Sequence, residues 1–384
     1  MISPFINPVS DIEVIPVRSK ADRERFIAFP DRLAVADPCY IAPLRIDQRM
    51  LLSQSRNPYF RHAEAAFWLA RRDGRDVGRI SAQHDSLEQN GAGHFGMLAA
   101  EDDAAVFAAL LRTVEAWHRE RGVREVLGPF NLSINETAGV LIDGFDTPPM
   151  LMMGHDQPYT GSRLEEQGYE KAQDLLAYLY DTEAPLPAFV GRMLNRPLPQ
   201  GLSIRHLDWS RYREEVASIT AIFNDAWSDN WGFVPLTENE TDAMAQQLKL
   251  LLHDKMIWFA EYEGKPIAFI VALPNLNEAI RDLHGKLWPF GLVRLLWRLK
   301  IRGVKTARVP LMGVRRSFNH GLLGSLVPFL LVDAVRRESA KLGMCSVELS
   351  WVLENNDPMR RMNEALGGSI YKTYRVYRKS LVEE

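Results

Sequence analysis

In the second half of the chain, apolar positions either alternate with polar ones between glycines and prolines or recur every three to four residues. The first pattern is that of strands and the second that of amphipathic helices. In order, they predict a strand at 203–206, helices at about 212–227 and 238–252, and a hairpin of strands at 256–262 and 266–273. A strand at 307–314 then enters a glycine-containing loop and a long helix at 323–342. A strand at 346–352, a short helix at 358–366 and a last strand at 369–378 complete this half.

Part of this order occurs twice. Trp68-Leu-Ala-Arg-Arg-Asp-Gly74-Arg-Asp-Val-Gly-Arg-Ile80 and Trp258-Phe-Ala-Glu-Tyr-Glu-Gly264-Lys-Pro-Ile-Ala-Phe-Ile270 each read as a strand, a tight turn at a glycine and a second strand. Glycine suits such turns because they often need positive φ. Further on, Leu110-Leu111, Val114, Gly122, Val126 and Asn135-Glu136 line up with Leu331, Val335, Gly343, Val347 and Asn356-Asp357. In both copies an amphipathic helix stops at a glycine and feeds a short apolar strand. Gln167-Gly168 and Lys171 likewise match Leu366-Gly367 and Lys372, each before an alternating apolar and aromatic strand. Any two α/β halves share strand–turn–strand patterns, but three matches in one order favour a duplication. Residues 182–201, rich in proline, read as a linker between halves at 1–181 and 202–384.

Composition agrees with two domains of ordinary size in 384 residues. Lys and Arg number 46 against 49 Asp and Glu, so global charge offers no reason to expect a nucleic-acid partner. Cys39 and Cys345 are isolated, so no structural metal site is expected, and so few thiols suit a reducing compartment. The start, MISPFINPVSDIEVIPV, lacks the pattern of a signal peptide, and no run approaches the ~20 apolar residues of a membrane span. The expectation is a cytoplasmic protein, with peripheral contact to the inner membrane left open.

The chemistry-bearing motif is Val314-Arg-Arg-Ser-Phe-Asn-His-Gly321-Leu-Leu-Gly324-Ser325, between a strand and the long helix. Free N–H groups at a helix start, with the positive end of its dipole, accept phosphate oxygens. Glycines let the backbone approach, and Arg315 and Arg316 add positive charge. This element order resembles the GNAT superfamily of acyltransferases, over all of the C-terminal half and more weakly over the N-terminal half. The stretches Val126-Leu-Gly-Pro-Phe-Asn-Leu-Ser-Ile-Asn135 and Val347-Glu-Leu-Ser-Trp-Val-Leu-Glu-Asn-Asn356 also look like a YghO-like bacterial branch, similar to bacterial ceramide synthases.

The resemblance implies an α/β protein of two tandem GNAT-like domains, each a mixed central sheet flanked by helices. It implies that Val314, Arg315, Arg316, Asn319, His320, Gly321, Leu322, Gly324, Ser325 and Asn356 surround the CoA pyrophosphate. Here Asn319 takes the usual Arg or Gln place and Leu322 that of the first glycine, so the motif departs from the family pattern. Acyl-CoA is then a co-substrate and not a resident cofactor. Acyl carrier protein carries the same phosphopantetheine arm. The matching junction in the other half ends in Glu101, Asp102 and Asp103. Such acids cap a helix but repel a pyrophosphate. The N-terminal half is therefore expected to wall the site without binding CoA.

Amine acylation needs a base for the ammonium and donors for the oxyanion. The family places the thioester where two central parallel strands splay apart. Glu348, on an otherwise apolar strand, is a candidate base, against a partly exposed edge carboxylate as the plain alternative. The family's general acid, a tyrosine in the helix after Asn356, is replaced at about Asn363, while Tyr371 and Tyr374 are more ordinarily core residues. Asn131, Asn135 and Glu136 lie in a polar stretch after a buried strand. Side-chain-to-backbone bonding in a loop and contact with the acceptor explain it equally. Met150-Leu-Met-Met153 with His155 and Tyr159 offers an adaptable apolar lining.

From Lys286 to Lys305 the chain carries cations and Trp288, Phe290 and Trp297 at helical spacing, and no acid. That composition suits an anionic membrane surface, with packing on the protein's own sheet as the alternative. Together these features predict transfer of an acyl group, long-chain by resemblance, from CoA to the amine of an amphiphilic, sphingoid-type acceptor. A small-molecule or peptide acetyltransferase and a non-catalytic lipid- or CoA-binding protein are the alternatives.

Overall fold

The computed structural model describes residues 12–248 and 253–382. The extreme N-terminus and the last turn expected for the 238–252 helix lie outside the described residues. The strands are β1 (Glu13–Pro16), β2 (Ala63–Arg72), β3 (Arg75–Asp85), β4 (Gly93–Ala100), β5 (Glu125–Gly128), β6 (Val140–Asp143), β7 (Glu170–Asp181), β8 (Leu202–His206), β9 (Ile257–Tyr262), β10 (Lys265–Pro274), β11 (Thr306–Val314), β12 (Ser346–Leu353) and β13 (Ser369–Ser380). The helices are α1 (Lys20–Leu33), α2 (Arg45–Leu51), α3 (Ala104–Arg119), α4 (Thr160–Glu165), α5 (Ala188–Leu194), α6 (Tyr212–Trp227), α7 (Glu238–Leu248), α8 (Leu276–Ile280), α9 (Gly291–Trp297), α10 (Gly321–Lys341) and α11 (Asp357–Ala365).

The strands form one mixed sheet in the order β1-β2-β3-β4-β5-β13-β7-β12-β11-β10-β9-β8, with β6 beside β13. Only β4–β5 and β11–β12 are parallel among these pairs. The order reads the same from both ends if β1 to β5 are equated with β8 to β12. At the middle the halves exchange their last strands: β7 joins β12, and β13 joins β5. The long antiparallel β7–β13 pair, from Ser369↔Leu179 to Arg378↔Glu170, is the seam. The short helix α5 lies in the proline-rich stretch between the halves.

Local chemistry explains the repeat. The β2–β3 turn puts Asp73 at φ 50° and Gly74 at φ 76°, and the β9–β10 turn puts Glu263 at 50° and Gly264 at 75°. A two-residue hairpin turn of type I′ needs φ > 0 at both positions, and glycine takes it without strain. Helix α3 buries Val106, Phe107, Leu110, Leu111 and Val114, and α10 buries Val327, Leu331, Val332 and Val335. The three-to-four spacing lays each stripe against its own half of the sheet.

Candidate active site

β11 and β12 pair in parallel from Thr306↔Ser346 to Val309↔Leu349. The next residue in β11 is Pro310, which has no N–H to extend the ladder. Beyond it β11 stays with β10 as far as Val314, and β12 stays with β7 as far as Leu353. The two strands thus part, and their facing backbone edges lack a strand partner. A cavity of about 1020 Å³ opens in the gap. Pro310 to Val314 and Trp351 to Leu353 form two walls, and Met359 and Met362 of α11 a third. Trp227, Trp231 and Phe233 complete its apolar lining.

Asn319, His320, Gly324 and Ser325, at the start of α10, line the same cavity, as do Val314 and Asn356. His320 stands at the N-cap without a side-chain hydrogen bond to the first turn. Four N–H groups at a helix start have no intrahelical partner. Asn356 caps α11 by accepting from the Met359 N–H at 3.2 Å. The structure does not bring Arg315 and Arg316 into the lining. Arg315 Nε donates to the Pro266 carbonyl at 3.1 Å, and Arg316 pairs with Asp229 at 2.7 Å. Gly321 and Leu322 also lie outside it, with Leu322 exposed. Two guanidinium groups line the cavity, Arg308, which is held by Glu348, and Arg361 of α11, which the sequence reading did not single out. Gly324 serves the loop itself: a Cβ there would stand 2.3 Å from the Asn319 carbonyl oxygen.

The equivalent gap in the other half is bridged where it begins. β4 and β5 pair only through Gly93↔Val126 and His94↔Leu127. Beyond that, the Phe130 N–H donates to the Phe95 carbonyl at 2.7 Å, and Asn131 Oδ1 accepts from the Met97 N–H at 2.8 Å. A side chain on Gly96 would overlap the Phe130 carbonyl, so glycine there lets the chain fill the gap. The start of α3 is satisfied from within, since Asp103 accepts from the Ala105 N–H at 2.8 Å and pairs with Arg72 at 2.7 Å.

A second cavity, of about 420 Å³, lies on the N-terminal side. It shares Asn135, Glu136, Met152, Leu236 and Met244 with the first. Its lining is largely apolar, from Ile27, Ile41, Leu44, Leu132 and Leu151 among others. Its charged lining is Asp47, Glu136, Asp156 and Glu240 against Arg79 alone. The Glu136 carboxylate has no hydrogen-bond or ion-pair partner among the described residues, and its backbone N–H donates to the Ser133 carbonyl at 3.2 Å. Burial, with a smaller push from Glu240, raises its pKa to about 7. Burial also raises Asp156 to about 6. Glu240 is held by Thr237 Oγ1 at 2.7 Å and by His62 Nε2 at 3.3 Å, and His62 Nδ1 lies 2.8 Å from Asp85. Asn135 donates to the Val234 carbonyl at 3.2 Å, which fixes the loop that carries Glu136. Asn131 lines this second cavity, but its side-chain oxygen is spent on Met97.

Glu348 lines neither cavity. It is fully buried between Arg308 Nε at 3.1 Å, the Ser350 hydroxyl and the Tyr371 hydroxyl. The expectation of an accessible base at this position is not carried by the geometry, because both carboxylate oxygens are occupied. Arg308 also donates to the Leu151 carbonyl at 2.9 Å and lies 4.9 Å from the Trp351 ring centroid. Asn275 Oδ1 accepts from the Leu151 N–H at 3.1 Å, and Asn277 donates to the Met150 carbonyl at 2.9 Å. These three side chains pin the Met150–Met153 wall between the cavities. Asn363 is buried and outside both cavities, so α11 offers methionines there and not an acid. His155 lines the second cavity, paired with Asp37 at 2.8 Å, whereas Tyr159 is fixed outside it on the Ala100 carbonyl at 2.7 Å. Arg308 had a signal in the sequence, a guanidinium within an apolar strand. Glu240 had none, because its meeting with Glu136 is purely tertiary.

No family model matches the chain. It is 52% identical to the bacterial ceramide synthase of Caulobacter vibrioides over 98% of this chain and 100% of that one. It is 44% identical to protein YghO of Escherichia coli over 94% of each. Its fold is similar to a tandem GNAT protein from the clavulanic acid biosynthesis pathway, with a TM-score of 0.57 and 14% identity over 97% of this chain and 100% of that one.

Proposed function

The chain belongs to the GNAT-type acyltransferase family of bacterial ceramide synthase and YghO, and from that premise we propose that it transfers a long-chain acyl group from CoA to the amine of an amphiphilic, sphingoid-type acceptor. The observation that carries this reading is the meeting of the two cavities at Glu136. The larger cavity has the splayed strands and the open helix start that suit a thioester with its phosphate tail. Its tryptophans and methionines suit an acyl chain. The smaller is apolar with an excess of carboxylates, which suits a chain ending in an ammonium.

At the junction Glu136 and Glu240 attract the ammonium, and Glu136 accepts a proton from it. A carboxylate with a pKa near 7 is half ionised at neutral pH and is a stronger base than an ordinary one. The amine lone pair forms the C–N bond, and N–H groups on the unpaired edge of β11 offer donors to the oxyanion. As the C–S bond breaks, the thiolate takes a proton. Two protons leave nitrogen in all, one reaching solvent through Glu136 and one ending on the thiol. Glu348 acts here as a positioning residue, through Arg308 and the Met150–Met153 wall.

The Asn319–Ser325 helix start and Asn356 would hold the pyrophosphate end, with Arg361 as the cation. Acyl carrier protein is the alternative source of the same arm. No described helix is long and apolar enough to cross a membrane. We place the protein at the inner membrane face, with the segment from Lys286 to Lys305 toward anionic lipid. Incubation of purified protein with palmitoyl-CoA and a long-chain 2-amino-1,3-diol tests the reading. An N-acyl product by mass spectrometry, with equimolar thiol release, is expected. Acylation of small amines from acetyl-CoA in preference would overturn the lipid assignment.

A further inference from the structure

The segment after α8 keeps its apolar residues on the outside. Trp288 is 88% exposed, Phe290 73%, Val293 68% and Ile301 75%, and Leu292 and Trp297 are about half exposed. Single exposed apolar residues are ordinary, but a continuous cluster marks an interaction surface. Only Gly291 and Leu295 of α9 are buried. Leu295 packs in one core cluster with Ile280 and Leu283. The absence of acids inside the segment is partly made good from outside it. Asp282 pairs with Arg298 and, at 3.6 Å, with Arg294, and Glu278 binds the Lys305 N–H at 2.9 Å. Lys286, Lys300 and Arg302 have no acidic partner among the described residues. Apolar side chains flanked by unpaired cations match a bilayer with anionic headgroups.

The same segment adjoins the acceptor cavity. Leu276, Asn277 and Ile280 of α8 line it, and Tyr40, Ile41, Pro43 and Leu44 line it from the other side. These two walls are tied together beside the patch: Arg281 donates to the Pro38 carbonyl at 3.0 Å, and the Arg45 N–H donates to the Gly285 carbonyl at 3.0 Å. Gly285 is glycine for that contact, since a Cβ there would lie 2.8 Å from the Pro43 carbonyl oxygen.

We propose that the face built by Trp288, Phe290, Val293 and Ile301 docks on an anionic bilayer, and that the amine acceptor passes from that bilayer into the Glu136 cavity along the seam between α8 and residues 38–45. The passage rests on the reading of that cavity as the acceptor chamber; the docking face does not. A lipid surface fits better than an acidic protein because the apolar side chains form the body of the patch. Binding through charge alone would not depend on Trp288 or Ile301.

The test uses the full chain and two variants, Trp288→Ser/Phe290→Ser/Ile301→Ser and Lys300→Gln/Arg302→Gln. All five positions are exposed, so both variants should stay folded, as circular dichroism and thermal melting would verify. Co-sedimentation uses phosphatidylglycerol–phosphatidylcholine vesicles. The charge variant should bind about 30-fold more weakly, at about a factor of five per cation. The apolar variant should lose the binding that persists at high salt. Turnover is measured with a long-chain amine held in the vesicles and with a short-chain, water-soluble amine. Both variants should slow on the first and keep the wild-type rate on the second. Wild-type protein that ignores the vesicles, or variants that match it on the vesicle-held amine, would overturn the proposal. So would a wild-type dimer that dissociates in the apolar variant, since a second copy would then cover the face. If the wild type acylates neither amine, the acceptor chamber and the passage fall together, while the vesicle arm still decides the docking face.

Discussion

Arg308 and Glu348 are register partners on adjacent parallel strands, with Nε 3.1 Å from Oε1, just before those strands part. Both are fully buried. The pair therefore closes the apex of the gap that we propose for the thioester, and through the Leu151 carbonyl it also holds the wall between the cavities.

Glu348→Gln leaves Arg308 buried without a counter-charge. Removing one partner of such a pair destabilises by about 3 kcal/mol, whereas replacing both with apolar residues costs far less. The urea midpoint should fall in Glu348→Gln and recover in part in Arg308→Met/Glu348→Leu. The single variant should keep a pH–rate profile of wild-type shape, because Glu136 is untouched. Loss of the limb that rises with pH would return Glu348 to the role of base.

Glu136→Gln should lower kcat by about 10²-fold or more with little change in acyl-CoA affinity. In the wild type, kcat should rise with pH through an apparent pKa of about 7 and then level, and the variant should lack that limb. Stability carries the opposite sign. The folded pKa is raised above the ordinary carboxylate value of 4.5, so ionisation costs stability. The cost is absent below about 4.5, grows as pH rises from there to about 7 and is complete above that. Glu136→Gln should therefore melt higher than the wild type at pH 8 and show no such gain at pH 4. Identical pH dependence of melting in the two proteins would rule out a raised pKa.

The exchanged strands predict how the halves behave when separated. A piece ending at 181 lacks β13, the neighbour of both β5 and β7, and a piece starting at 202 lacks β7 beside β12. Each then exposes a long, unpaired central edge. Neither should give a cooperative thermal transition alone, and co-expression should restore one soluble complex. A half that folds and stays monomeric would contradict the exchange.

Much of the frame was legible because it is local. The expected helix at 212–227 and the strands at 257–262, 346–353 and 369–380 follow from periodicity and from glycines at turns, within a residue or two at most ends. The gap between β11 and β12 was legible only through resemblance, although Pro310 marks where it begins. The exchange of β7 and β13 was not legible, because β-pairing over long separations leaves no trace in a local pattern. The same holds for Glu240 beside Glu136. Arg315 and Arg316 misled because charge near a glycine loop says nothing about direction, and Asp229 and the Pro266 carbonyl claim them first.

The asymmetry between the two helix starts gives the last prediction. α10 begins with no side-chain cap and lines the larger cavity, whereas α3 begins with Asp103 already bound to its first turn. An added carboxylate should therefore matter at one start and not at the other. Gly324 is a poor place to add it, because a side chain there collides with the Asn319 carbonyl and would disturb the loop whatever binds. Ser325 is exposed, lines the cavity and bonds only to the Gly321 carbonyl, at 3.0 Å. Ser325→Glu should weaken CoA binding about tenfold by calorimetry, the scale of a charge placed against an anion at a helix N-terminus. Ala104→Glu, at the first residue of α3, should leave CoA affinity unchanged. The loss should shrink as salt rises, because the repulsion is screened. Equal losses in the two variants would mean that both halves bind CoA. No loss in Ser325→Glu would move the pyrophosphate away from α10, and Arg361 on α11 would then be the position to test.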